Sequence, residues 1–285
     1  MKKILAVSGG VDSMVMLDMM AKKFPAEELV VVSIDHGMRE SSQDDLVFVG
    51  MQAKLRGIRW RGTIVKPNVL KNEEQARKKR YEILNKVAEE AGGEIHTAHH
   101  LDDLIESVAI NCLRGTGPRG LAVLSAPKIH RPFIDGPFNE VFDKKAILKY
   151  ACENEIPFRQ DPTNYEDVYL RNRVRPITAN LDDGTKKKLY ELWNKQKDIF
   201  DEVDEIVNDL IPKDLVFERA WFKNLDDNLA IEILRAGLLK VGISATRPQL
   251  ADFLNAIRTY ETGKQFNLPN DKLVKLNRKD FKLEV

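Results

Sequence analysis

Cysteine is nearly missing from this chain of 285 residues: Cys112 and Cys152 stand far apart and form no C-x-x-C pair. That argues against a disulfide scaffold, a thiolate zinc site or a dithiol redox centre, and two isolated thiols suit a reducing cytoplasm. A charge excess is missing too, because 45 basic and 44 acidic side chains leave a formal charge of +1. No bulk field draws such a chain onto nucleic acid or an anionic membrane, so any polyanion must be held by local clusters. Long apolar runs are also absent. Ile4–Val7 is too short for a signal-peptide core, and no run approaches the roughly 20 apolar residues of a membrane span. A soluble protein with no membrane partner is expected. What remains is ordinary globular composition, 43% hydrophobic and 31% charged, with length for one large or two ordinary domains.

The first 35 residues read as strand, helix, strand. Lys2–Ser8 is a compact apolar run that ends in Gly9-Gly10, Val11–Lys23 carries apolar residues at helical spacing, and Leu29–Ile34 is β-branched and stops at Asp35. The alternation continues with a helix near 43–56, a strand near 59–65, a long helix from about 72 to 91, a strand near 94–98 and a helix from about 102. Strands alternating with helices predict a mostly parallel sheet covered on both faces. Beyond Leu181 the texture changes. Asp182-Asp183-Gly184 reads as a hinge, helical spacing follows over 185–210, 228–240 and 247–259, and Leu268-Pro269-Asn270-Asp271 suits the turn of a hairpin. The expected fold class is α/β: a parallel-sheet domain over 1–182, then a smaller, mainly helical domain over 183–285 with a terminal hairpin. Residues 1–180 hold 27 basic and 25 acidic side chains and residues 181–285 hold 18 and 19, so neither part is basic as a whole.

Ser8-Gly9-Gly10-Val11-Asp12-Ser13 sits at the first strand-to-helix turn. Two glycines let the backbone approach an anion, the hydroxyls of Ser8 and Ser13 can donate to phosphate oxygens, and the following helix points its free N–H groups at the same place. Gly-Lys-Ser/Thr is lacking, so this is not the loop of γ-phosphoryl transfer. Asp12 beside phosphates would repel them unless Mg²⁺ lies between, which marks Asp12 as a candidate metal ligand; a tight turn without ligand is the alternative. Asp102, Asp103 and Glu106 fall at i, i+1 and i+4 of a helix start, with Asp102 and Glu106 on one face. They read as an ammonium trap, or the two aspartates as helix caps. His99 and His100 could relay a proton or hydrogen-bond a nucleotide, and the general base stays open between them. Arg77 and Arg80, in Arg77-Lys78-Lys79-Arg80, read as phosphate or RNA contacts or as part of a solvated helix face. Arg171, Arg173 and Arg175 alternate along a stretch that reads as non-helical, and three close like charges call for a counter-anion. His96 and His130 read as structural residues and Cys112 as part of the core.

The hexapeptide at Ser8 resembles the signature of the PP-loop ATP pyrophosphatases, of adenine nucleotide alpha hydrolase-like fold, which release pyrophosphate and transfer AMP to a substrate oxygen. Further segments follow in order: Ile34-Asp35-His36-Gly37-Met38-Arg39, Glu73 to Tyr81, Thr97-Ala98-His99-His100-Leu101-Asp102-Asp103, Leu113 to Leu121, Arg131-Pro132, Asp161-Pro162-Thr163-Asn164 and Arg171 to Arg175. Together they resemble the tRNA(Ile)-lysidine synthetase family over about residues 3–180. Leu104 and Ser107 stand where that family's motif has Gln and Thr, and Gln160 replaces an acidic residue often found there.

The resemblance implies ATP and Mg²⁺ as cofactors, with L-lysine and tRNA(Ile) bearing a CAU anticodon as partners. The wobble cytidine is adenylated and then converted to lysidine, releasing diphosphate and AMP. It implies catalytic roles for Asp35, His99, Asp102, Asp103 and Glu106. ATP contacts fall to Ser8, Gly9, Gly10, Asp12, Ser13, Arg114 and Gly115, and tRNA contacts to Arg77, Arg80, Arg171, Arg175 and the C-terminal domain. A homodimer would widen the RNA surface of so neutral a chain. Among alternatives, a tRNA thiolase shares the loop but usually carries cysteines, and GMP or NAD synthetase relatives would not explain the arginine segments. A non-enzymatic RNA-binding module would have little need for the loop.

Overall fold

The computed structural model describes residues 1–35, 42–65, 73–124, 129–138, 140–159, 170–269 and 271–284. His36 to Arg39 and Gln160 to Asn164, singled out above, lie outside the described residues. In the first compact unit, Met1–Lys197, the elements are β1 (Lys2–Ala6), α1 (Val11–Lys23), β2 (Leu29–Asp35), α2 (Ser42–Leu55), β3 (Arg59–Ile64), α3 (Glu73–Ala91), β4 (Gly93–His96), α4 (Leu101–Leu113), β5 (Ile129–His130), α5 (Lys144–Glu153) and α6 (Leu170–Ala179). The five strands are parallel, in the order β3-β2-β1-β4-β5.

Burial follows the period of two expected of strands covered on both sides. Leu5, Val7, Leu29 and Val31 face Met14, Leu17 and Met20 of α1, Val49 and Ala53 of α2, and Ile147 of α5. Ile4, Val30, Val32 and Ile95 face Leu84, Val87 and Ala88 of α3. Because β2 and β3 lie to one side of β1 and β4 and β5 to the other, strand order reverses between β1 and β4. The carboxyl ends of these two neighbours flank the crevice where open α/β sheets bind ligands. Each leads into a helix there, with Gly10 at the N-cap of α1 and His100 at the N-cap of α4.

Two segments differ from the sequence reading. Residues 171–175 are helical, within α6, despite Pro176 inside that helix. An interior proline costs about 3 kcal/mol, and burial of Val174 and Thr178 one turn apart, with α6 packed on α4, offsets it. Asp182-Asp183-Gly184, read as a hinge, starts α7 (Asp183–Asp209): Asp182 Oδ1 accepts the Thr185 N–H at 2.9 Å, a capping contact. The first turns of α7 pack within the first unit, where Trp193 is buried with Leu101, Leu104, Ile105 and Ile134 and its indole N–H donates to the Val123 carbonyl at 2.7 Å.

The second unit, Asp198–Val285, contains the end of α7, β6 (Val216–Glu218), α8 (Arg219–Asn224), α9 (Asp227–Lys240), α10 (Arg247–Thr259), the antiparallel hairpin β7 (Gln265–Leu268) and β8 (Lys272–Lys275), and β9 (Asp280–Lys282) paired with β6. Phe217, Phe222, Phe253 and Phe281 form its centre. The buried Arg219 guanidinium donates to the carbonyls of Ile257, Tyr260 and Asn277, tying α10 to the strand region. Among the described residues no helix is long and apolar enough to cross a membrane.

His96, at the end of β4, is buried and stacked on His130 with ring centroids 5.0 Å apart. Burial pushes its imidazole pKa down to about 4, against the raising effect of the Glu94 carbonyl. Folding therefore favours the neutral ring. Its contribution is complete above the unfolded value of about 6.5 and declines as pH falls toward 4. Urea unfolding at pH 7 and pH 4 is predicted to show a loss about 3 kcal/mol larger in the wild type than in His96→Gln; equal losses would count against the buried neutral ring.

Candidate active site

The Ser8 to Ser13 loop wraps the amino end of α1. Gly9 has φ +91°, a backbone conformation that favours glycine, although a Cβ there would make only ordinary contact with Val49 at 3.5 Å and Phe48 at 3.7 Å. Ser13 Oγ accepts the Ser8 N–H at 3.1 Å and donates to the Gly10 carbonyl at 2.9 Å. The two hydroxyls thus differ: Ser13 is buried and shapes the loop, whereas Ser8 is exposed at the crevice. On the other side of the turn the Arg159 N–H donates to the Gly9 carbonyl at 2.9 Å.

At the start of α4, Asp103 Oδ2 accepts the His100 backbone N–H at 3.1 Å. The largely buried His100 ring lies among three carboxylates: Nδ1 is 3.5 Å from Asp102 Oδ2, and Nε2 is 3.5 Å from Asp103 Oδ2 and 4.0 Å from Asp12 Oδ1. Asp12 itself pairs with Lys144 Nζ at 2.6 Å. The β1 loop and the β4 loop therefore meet, as the strand order requires.

Asp102 is committed within the protein. Its Oδ2 accepts the Lys144 N–H at the start of α5 at 2.7 Å, and its Oδ1 binds Lys186 Nζ of α7 at 2.7 Å. Lys186 also binds Asp143 at 3.1 Å, and Asp143 caps α5 by accepting the Ala146 N–H at 2.8 Å. Burial alone would raise the Asp143 pKa, but the Ala146 N–H and the Lys186 ammonium outweigh it and hold that carboxyl below its usual range. Burial likewise opposes the Lys186 charge, and hydrogen bonds from Asp102 and Asp143 overcome it and raise the pKa. Expected as part of an ammonium trap, Asp102 holds an ammonium of this same chain and fastens α4 to α5 and α7.

Glu106 Oε1 accepts from Arg175 Nε at 3.0 Å. Burial works against the Arg175 charge, and Glu106, with Asp103 and Asp12 beyond it, raises the pKa nonetheless. Asp103 is the carboxylate of the α4 trio most open to solvent, its side chain 17% exposed against 11% for Asp102 and 4% for Glu106. Asp35 is buried at the carboxyl end of β2, and His99 Nδ1 lies 2.8 Å from Thr97 Oγ1.

Other expected residues stand elsewhere. Arg114 and Gly115 follow the last turn of α4, where Gly115 has φ +68° and the Thr116 N–H donates to the Asn111 carbonyl at 3.1 Å. The 13 residues of α4, about 20 Å long, run from Leu101 beside the His100 cluster to Leu113 before this pair. The glycine there ends a helix. Arg77 and Arg80 are exposed on α3, Arg77 with its guanidinium 5.1 Å from the Tyr81 ring centroid. The Arg171 side chain lies outside the described residues, Arg173 is exposed, and Cys112 is exposed and not in the core.

Sequence reasoning missed Lys144, Asp143, Lys186 and Arg159. Each reaches the site across more than 30 positions of chain or from a bend with no local motif, and only the Asp143-Lys144 pair at a helix start offered a signal. As a phosphate site the arrangement offers a glycine turn, a helix N-terminus and a nearby cation, Lys144, while the Arg159 guanidinium pairs with Asp45 at 3.6 Å; its neighbour offers carboxylates and an imidazole beside the same crevice.

Residues 1–181 match a family model described as a PP-loop domain. The chain is 33% identical over 233 residues to a tRNA(Ile)-lysidine synthase of Thermotoga maritima, covering 76% of this chain and 55% of that one. It is 31% identical over 263 residues to one of Petrotoga mobilis, covering 85% and 80%. It thus spans about half the length of several curated relatives it matches. Among solved structures, the U34-tRNA thiolase NcsA of Methanococcus maripaludis with its [4Fe-4S] cluster is similar at TM-score 0.56 and 22% identity, covering 69% of this chain and 72% of that one, a likeness of fold.

Replacing Lys186 with Met leaves Asp102 and Asp143 buried without their cation. A stability loss of about 3–5 kcal/mol is predicted in urea unfolding at pH 7. The depressed Asp143 pKa makes its share of the wild-type contribution complete above the unfolded value of about 3.9 and lost as pH falls below it. The raised Lys186 pKa makes its share complete below about 10.4 and lost as pH climbs past that. A variant as stable as the wild type across this window would remove the staple.

Proposed function

The chain belongs to the tRNA(Ile)-lysidine synthase family of PP-loop proteins, and on that premise we propose that it joins L-lysine to C2 of the wobble cytidine in CAU-anticodon tRNA(Ile). ATP is the second substrate, and AMP and diphosphate leave. The observation that carries the reading is the meeting of the glycine turn after β1 with the histidine and carboxylate cluster after β4, Asp12 lying 4.0 Å from His100.

In the first step the C2 oxygen of cytosine forms a bond to the α-phosphorus of ATP, and the α–β bridge breaks with diphosphate leaving. Gly9, Gly10, the Ser8 hydroxyl and the amino end of α1 bind the β- and γ-phosphates, and Lys144, paired with Asp12 at the same turn, shares their charge. A divalent ion fits the donor set at one point: Asp12 supplies a hard, partly exposed carboxylate at the rim of the turn. Among the described residues no three His, Cys, Asp or Glu side chains could hold an ion by themselves. That suits Mg²⁺, which usually keeps waters and phosphate oxygens around one or two protein carboxylates and would screen the leaving charge when bound.

In the second step the ε-ammonium of lysine gives up a proton, its nitrogen bonds to C2, the C2–O bond breaks with AMP leaving, and the nitrogen sheds a second proton. Free lysine arrives as an ammonium, since its pKa is about 10.4. Asp103 receives that charge, since its side chain, 17% exposed, is the most open to solvent of the three α4 carboxylates. His99 and His100 stand next in line for the proton. Arg77, Arg80, Arg171 and Arg175 take RNA phosphates, the second unit adds tRNA contacts, and the cytoplasm, where tRNA and ATP are available, is the location this implies.

The reading is tested with purified protein, CAU-anticodon transcript, Mg-ATP and labelled lysine, where label is expected in the CAU transcript and not in one with another anticodon. Asp12→Ala is predicted to slow lysine-independent transfer of AMP to tRNA on the order of 100-fold; an unchanged rate would free Asp12 of its role. Asp103→Ala is predicted to raise the KM for lysine about 10- to 100-fold, the worth of a charge-assisted hydrogen bond, while ATP binding stays unchanged. An unaltered KM would assign the ammonium elsewhere.

A further inference from the structure

Among the described residues Arg131 and Arg219 are buried arginines, and their surroundings differ. Arg219 donates repeatedly to the backbone carbonyls of Ile257, Tyr260 and Asn277. Arg131, 3% exposed, donates from Nη1 to the Ile129 carbonyl at 2.9 Å, and its Nε is buried without a partner. Asp135 turns Oδ1 to the Arg131 backbone N–H at 2.8 Å and leaves Oδ2 3.8 Å from Nη1, beyond hydrogen-bond reach. A guanidinium carries five N–H donors and keeps its proton in a protein, so a buried one this poorly paired calls for an anion from outside the chain.

The place of Arg131 shows which anion can reach it. Arg131 directly follows β5, at the carboxyl end of the sheet, two residues beyond Ile129, which packs with Ile95 and Tyr81 on the α3 side. Helix α3 connects parallel strands and so begins at that same end. In its first turns Arg77 is exposed, has no ion pair among the described residues and sets its guanidinium 5.1 Å from the Tyr81 ring centroid. Burial pushes the Arg131 pKa down, against Asp135 and Tyr81, and the charge of Arg77 works in the same direction as burial, so the two guanidiniums feel one another. Two arginines beside one phenol suit an oxyanion. The Ser8 loop opens α1 on the other side of the sheet, which leaves this pair apart from the pyrophosphate seat. Lys78 and Arg80, both exposed, continue the basic row along α3, and a polyanion can follow such a row where a single small carboxylate cannot.

We propose that Arg131 and Arg77 together seat one phosphodiester of the bound RNA, with Arg131 fixed at the base and Arg77 at the rim. This rests on the reading of the chain as a tRNA-modifying enzyme and adds to it a contact that serves RNA and neither ATP nor lysine. A donor already held by the Ile129 carbonyl loses little freedom on binding, so the buried member sets where the phosphate stops.

Fluorescence anisotropy of a labelled CAU-anticodon transcript over a salt series tests it. Arg131→Gln and Arg77→Gln are each expected to weaken binding about tenfold and to lower the salt slope by about one, with the KM for ATP unchanged. Because both hold the same phosphate, the double variant is expected to lose well under the roughly hundredfold product of the single losses. Urea unfolding checks that Arg131→Gln is folded. A second measurement needs no change at Arg131: among transcripts carrying one neutral methylphosphonate linkage in the anticodon loop, one is expected to bind wild type about tenfold more weakly yet to bind Arg77→Gln nearly as well as the unmodified RNA does. A folded Arg131→Gln with unchanged tRNA affinity, losses that multiply in full, no such linkage, or a raised KM for lysine in place of weakened tRNA binding would overturn the proposal. Lysine incorporation by the wild type separates the two levels: incorporation with unchanged binding by the variants ends this inference alone, and a wild type that neither binds nor modifies the transcript ends the enzymatic reading with it.

Discussion

The reversal of strand order between β1 and β4 is the constraint from which the rest follows. Parallel strands all deliver their loops to the same end of the sheet, and only at a reversal do two neighbouring loops turn away from one another and leave a crevice. Here both loops open helices, so two positive helix ends face the gap, one behind a glycine turn and one behind a pair of histidines. An anionic ligand is favoured by the first and an ammonium by the carboxylates of the second. Chemistry that couples departure of a phosphate-bearing group to attack by an amine can use both only if they meet, and the Asp12, His100 and Asp103 side chains are where they do.

Internal cations divide the labour among the acids. Four carboxylates within one small region would repel one another, and the protein answers with Lys186 on Asp102 and Asp143, Arg175 on Glu106 and Lys144 on Asp12. The buried Lys186 fixes the frame: it comes from α7, so the start of α4 is held from a helix more than 80 positions later in the chain. Lys144, partly exposed, pairs with Asp12 beside the glycine turn. Positioning is thus done by groups that a list of acidic residues near a helix start would count as substrate ligands.

Local signals carried most of the fold. Compact apolar and β-branched runs that end at Gly9-Gly10 and at Asp35 placed the first strands of the sheet, and Leu268 to Asp271 marked the hairpin, because both depend on neighbours in sequence. The Ser8 loop was legible for the same reason: Gly9 must take a positive φ at that turn. Two features were misread where a local pattern has two physical meanings. Alternating arginines at 171–175 look extended, yet Val174 and Thr178 bury one helical turn apart; Asp182-Asp183-Gly184 looks like a hinge, yet Asp182 caps a helix. Lys144, Lys186 and Arg159 were invisible, since only tertiary packing brings them to the site.

The central claim is that the glycine turn after β1 holds the pyrophosphate end of ATP and directs its adenylyl end across the strand reversal toward the β4 loop. The most direct measurement is a structure of the protein with a non-hydrolysable ATP analogue. The β- and γ-phosphates are predicted to lie against Gly9, Gly10 and Ser8, with the α-phosphate on the His100 side; phosphates seated at the far end of α4 beside Gly115 would contradict it.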